Sequence, residues 1–150
     1  MRVGIIVSAL ATGLAFDVYA QADSRAVDAC KAGGKAFTEI AACLPEADVA
    51  FRTLDAFSAI YPKEAEPLKN KCLELNTGNI VGASTCVKEA IKASLALKDS
   101  LPAGQSIDDP IFLSVAVLDL SNKLEIEVKK ARGRYPDKML WGGSMYHAYK

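Results

Sequence analysis

Apolar residues recur along most of this chain at intervals of three and four, the spacing that lines one face of an α-helix. Ala50, Leu54, Phe57 and Tyr61 form one such stripe, and Asp48, Arg52 and Asp55 fall on the opposite face. Asp48 and Arg52 stand four apart, where an ion pair supports a helix modestly. Upstream, Asp23 or Ser24 caps a short helix through Ala32, with Ala26, Val27 and Cys30 inward, and Gly33-Gly34 interrupts it. A second short helix carries Phe37, Ile40, Ala41 and Leu44; Pro45 then restarts the chain, since proline suits a first helical turn. Pro62 ends the Ala50–Tyr61 helix, Pro67 opens one carrying Leu68, Cys72 and Leu75, and Asn76-Thr77-Gly78 closes that one with a left-handed cap.

A longer helix to about Lys98 carries Ile80, Ala83, Val87, Ile91 and Leu95 on one side. Leu101 to Ser106 is loop by composition, and Asp108 or Asp109 before Pro110 marks the next helix start. Ile111 to Leu120 is apolar nearly all round and narrows to the stripe Leu120, Leu124, Val128 and Ala131, which predicts a core helix central in its first half. Strand-like alternation is brief everywhere. The pattern predicts one all-α domain over residues 21–135, a bundle of five or six helices, followed by a tail over 136–150 that breaks the periodicity at Pro136.

The N-terminus departs from this pattern in another way. Arg2 precedes an uncharged apolar run from Val3 to Phe16, and Val18-Tyr19-Ala20 supplies the small residues of a cleavage site, so residues 1–20 read as a secretory signal peptide. Ala20-Gln21-Ala22 offers a second site, with cleavage after residue 22. The run is shorter than the roughly 20 residues of a membrane span, and no cysteine follows either site to take a lipid anchor. Export changes the meaning of the four cysteines, which beyond the membrane form disulfides. Cys30 and Cys43 bracket Gly33-Gly34, and Cys72 and Cys86 bracket Asn76–Asn79, so local pairing staples two helix-turn-helix units. The nested alternative, Cys30 with Cys86 and Cys43 with Cys72, clamps two longer hairpins together. Local loops of this length are each worth about 3 kcal/mol through the denatured state. Neither pair has the close spacing of a zinc knuckle, a thioredoxin motif or a haem attachment site.

Charge narrows the partners. The 18 basic and 18 acidic side chains cancel, and removal of the leader takes one of each, Arg2 and Asp17. A neutral chain has no global field to draw nucleic acid, and its cations do not interleave with aromatics. The inventory also lacks His-Glu-x-x-His, a phosphate loop, a dinucleotide fingerprint and Gly-x-Ser-x-Gly, and the single histidine, His147, lies near the chain end. Asp108 and Asp109 are the nearest thing to a glycosidase pair, but acids before a helix-opening proline serve as caps. The expectation is a non-enzyme without a cofactor.

Two features remain for function. Lys129, Lys130, Arg132, Arg134 and Lys138 form a basic run that either complements a helix C-terminus or meets an acidic partner. The tail gathers Trp141, Tyr146 and Tyr149, aromatic residues of the kind that anchor protein interfaces, together with Met139, Met145 and His147, soft ligands of the kind that hold Cu(I). In outline the chain is similar to the small exported inhibitors and immunity proteins of the bacterial envelope, a likeness of class that no motif carries. The expected function is therefore an exported binding protein with a protein partner, Trp141, Tyr146, Tyr149, Arg132 and Arg134 being the candidate contacts. The alternative is a periplasmic small-ligand or copper carrier using Met139, Met145 and His147.

Overall fold

A computed structural model describes residues 21–32, 34–138, 140 and 146–149. Residues 1–20, expected to be a signal peptide, and Met139, Trp141 and Met145 lie outside the described residues. Among those described there are six helices and no strand: α1 (Ser24–Lys31), α2 (Phe37–Ile60), α3 (Glu66–Leu75), α4 (Ile80–Ser100), α5 (Pro110–Val115) and α6 (Leu118–Arg132), with a 3₁₀ turn at Lys63–Ala65. The ends follow local chemistry. Asp23 accepts from the Arg25 amide, Asn79 from that of Gly82, and Asp109 from that of Phe112, each satisfying one orphan donor of a first turn. Gly78 takes φ +76° after α3, a conformation open to glycine.

The centre of the bundle is α2, which packs against α1, α4 and α6. Leu54, Phe57 and Tyr61 from its predicted stripe meet Leu68, Val87 and Leu124 in the main core. A smaller core joins Ala26 and Cys30 of α1 to Ala47 of α2. The disulfides are local: Cys30 bonds Cys43 and Cys72 bonds Cys86, with Cα atoms 5.8 and 5.7 Å apart. The nested pairing is excluded. Removing the second bridge as Cys72→Ala/Cys86→Ala should cost about 3 kcal/mol, from the loop entropy that it withholds from the denatured chain. Urea unfolding would show it, and a loss below about 1 kcal/mol would mean that buried packing alone holds α3 to α4.

Three expectations are corrected. Pro45 does not restart the chain; it lies inside α2 and is buried. Its ring removes one helical hydrogen bond, an interior defect of about 3 kcal/mol. Tertiary contacts on both sides offset it: Cys43 is tethered to α1 and Ala47 is packed on it, while exposed Ala41 leaves its carbonyl to water. Asp48, although on the face opposite the apolar stripe, is fully buried, 0% exposed. Residues 21–23 and Arg134 cover it, elements remote in sequence from α2. Finally, Ile111–Leu120 is not a central core helix. It breaks at Ala116-Val117, where the Ala116 carbonyl accepts from Lys98 Nζ, 2.9 Å away. Leu113 and Leu118 on its two halves are 52% and 62% exposed. An all-round apolar run shows no face, so its pattern could not tell a core from a surface that stays apolar. The stripe that follows behaves as expected, with Leu124, Val128 and Ala131 buried.

Candidate functional site

The surface apolar run borders a largely apolar concavity. Ala90 and Ala93 on α4 leave room against α5, and the resulting cleft of about 440 Å³ is walled by Leu68, Leu97, Ile107 and Phe112. Small side chains on one wall and branched or aromatic ones on the other make a slot, not a packed helix contact. Its polar lining is sparse: Ser94, whose hydroxyl donates to the Ala90 carbonyl, and Asp109, which is occupied in capping α5. A second hollow of about 290 Å³ shares Ile107 and Phe112 and extends over Leu101 and Leu113. The exposed side chains of Leu97 and Leu113 form the lips. A site of this size and lining suits an apolar or aromatic group.

Tyr149 from the tail also lines the cleft and packs on the main core. What holds it there is Asn76, the residue that ends α3. Its amide is buried, donating from Nδ2 to the Cys72 carbonyl at 2.9 Å and to the His147 carbonyl at 3.0 Å. Oδ1 accepts from the His147 N–H at 2.7 Å. A single side chain thus satisfies both polar groups of one tail residue. Gly82 makes the space: a Cβ there would lie 2.9 Å from Asn76 Oδ1 and 2.6 Å from Asn79 Nδ2.

The other predicted contacts are scattered. Arg132 is exposed at the end of α6, within its basic last turn. Arg134 turns inward, donating from Nη2 to the Gln21 carbonyl at 2.8 Å and placing Nε 3.5 Å from Asp48 Oδ2. It belongs to a polar corner in which Asp48 accepts from the Asp23 amide at 2.6 Å and from Arg52 Nε at 2.8 Å. Burial raises the Asp48 pKa, but the Arg52 guanidinium and the Asp23 amide outweigh it and the net shift is downward. Arg25 holds the Asp23 carboxyl at about 2. The adjoining hollow of about 330 Å³ between α2 and α6 carries Asp55 and Glu127 beside Arg52, Lys130 and Arg134, a mixture that selects neither sign of ion strongly. Half-buried Lys88, above a void of only about 30 Å³, has its pKa lowered by desolvation and by Arg132, with no room for a substrate beside it.

Tyr146 is partly exposed, and His147 has an exposed side chain although its backbone is fixed. Among the described residues no group of His, Cys, Asp and Glu is placed to hold a metal ion, and no helix is long and apolar enough to cross a membrane. The cleft and the Asn76 clamp were missed in the sequence. Asn76 carries the ordinary signature of a helix end, and its tail partner lies 71 positions away. No protein-family model matches the chain, no curated protein matches its sequence, and no solved structure matches its fold.

Proposed function

We propose that this protein is an exported, non-catalytic binding protein that holds a protein partner at the cleft between α3, α4 and α5. The observation that carries the reading is the continuous apolar surface from the cleft floor at Leu68 to the exposed lips at Leu97 and Leu113, into which the protein's own tail already sets an aromatic ring. Buried aromatic anchors in apolar slots dominate the energetics of protein interfaces. Two formed disulfides fit an oxidising compartment, in keeping with the secretory leader.

A small-ligand carrier is the second reading, favoured by the cleft's volume of about 440 Å³, which falls in the range of small-molecule sites. Its copper form needs Met139, Met145 and His147 to converge, and of these only His147 is described.

Native mass spectrometry of the mature protein from exporting cells, without reductant, separates the readings. Ala93 is exposed on the cleft wall, so Ala93→Trp fills the slot without disturbing the core. A stoichiometric second protein present with wild type and absent with Ala93→Trp is the expected result. A small molecule lost in the same variant would establish the carrier instead. A bare monomer in both would sink the binding reading.

A further inference from the structure

We infer that Asn76 and the adjoining cleft form a receptor for an extended peptide segment of the partner, with the C-terminal tail as its built-in competitor. The inference rests on the binding reading above and names its mode. The N–H and C=O of one residue point to the same edge only in an extended chain, and Asn76 engages both groups of His147. Such a clamp recognises main chain and is indifferent to the side chain it passes, as His147 shows by leaving its imidazole exposed. Two positions on, Tyr149 enters the cleft. The mode is therefore a clamped residue followed, at the second position, by an aromatic ring. That pairing joins main-chain hydrogen bonds for affinity to one pocket for specificity, as other strand-like peptide complexes do.

Two observations separate a receptor from a tail that is merely packed. The tail is a sparing occupant: His147 and Ala148 are exposed, and about 440 Å³ of the cleft stays open beside the tyrosine. An incoming segment with a larger apolar residue next to its aromatic would reach Ile107 and Phe112 as well. The clamp is also a built feature, since a buried Asn amide occupies space that exists because residue 82 is glycine. Asp109 is the one carboxylate in the lining, so the matching peptide is neutral or basic, not acidic.

The test titrates a fluorescent peptide of sequence 144–150 into the full chain. Wild type should bind it weakly, because the attached tail competes at an effective concentration on the millimolar scale. Tyr149→Ala, which removes the internal occupant's ring from the cleft, should bind at least ~10-fold more tightly. Peptides carrying His147→Pro, which lacks the N–H, or Tyr149→Ala should fail on that same protein, and these substitutions leave the fold untouched. On the protein side, Gly82→Ala, which crowds Asn76, and Leu97→Glu at the exposed lip should each abolish binding. Equal affinity for wild type and Tyr149→Ala, or indifference to His147→Pro in the peptide, would overturn the inference. So would a concentration-dependent dimer that Tyr149→Ala abolishes, which would assign the groove to the tail of a second copy. The two levels fail separately. Partner capture without peptide binding removes this inference and leaves the proposed function, whereas peptide binding by a protein that captures no partner does the reverse.

Discussion

Phe57→Ala should lower the unfolding free energy by about 4 kcal/mol, the usual cost of removing a fully buried phenylalanine. Phe57 has no exposed surface and stacks on Tyr61 with ring centroids 4.6 Å apart, so the deletion loses both burial and a ring partner. Its neighbours cannot readily collapse into the space. Cys72 and Cys86 are covalently joined in the same core, and Leu68 and Val115 are already committed to the cleft floor. A domain of this size has roughly 5–15 kcal/mol in total, so the variant would stand near the edge of folding. Urea denaturation with intact disulfides measures the loss, and Phe57→Leu, which keeps most of the volume, should cost about 1 kcal/mol. A Phe57→Ala loss under about 2 kcal/mol would mean that α2 is not the packing centre. The same variant should also weaken peptide binding, since the cleft floor and the core are one cluster.

What the chain discloses about itself divides by range. Features settled within a few residues were legible: Asp109 and Pro110 open α5, Gly78 turns the chain after α3, and Ala50, Leu54 and Phe57 share one buried face. The local disulfides belong here too, because each closes over a turn that the spacing already marked. Features settled by distant partners were not. Asp48 has the spacing of a surface ion pair with Arg52, and that pair forms; it is buried because residues 21–23 and Arg134 close over it. Pro45 sits in a helix interior because a tether elsewhere holds the flanking turns. The break at Ala116 is associated with a lysine 18 positions upstream, and the clamp on the tail with an asparagine 71 positions upstream. The candidate site falls in this second group throughout. Its lining comes from α3, α4, α5 and the tail, and no single segment carries a pattern that announces it.

Asp48→Ala should cost about 3 kcal/mol at pH 7, because it leaves buried or half-buried donors without their acceptor. The Asp23 amide and Arg52 Nε donate to this one carboxylate and Arg134 Nε lies 3.5 Å from it as an ion pair, so it ties residues 21–23 to both α2 and the end of α6. Asp48→Asn keeps the shape but not the charge and should cost less, about 2 kcal/mol. The acid response gives a second handle. Asp48 and Asp23 both have pKa values lower in the fold than the roughly 3.9 of an unfolded aspartate, Asp23 reaching about 2. Their contribution is complete above the unfolded value and disappears as pH falls towards the folded one, since the unfolded chain takes up protons first. Wild type should therefore lose stability between about pH 4 and pH 2, with a slope that Asp48→Asn makes shallower. Salt separates this buried centre from the exposed Arg25–Asp55 pair beside it. At 1 M NaCl the Debye length is about 3 Å, which removes most of what a surface pair contributes but reaches a fully covered carboxylate poorly. The gap in melting temperature between wild type and Asp48→Asn should thus persist in high salt at pH 7 and narrow as pH falls below the unfolded aspartate value of roughly 3.9. A gap that vanishes in salt at neutral pH would show that water reaches Asp48 and that residues 21–23 do not seal the corner.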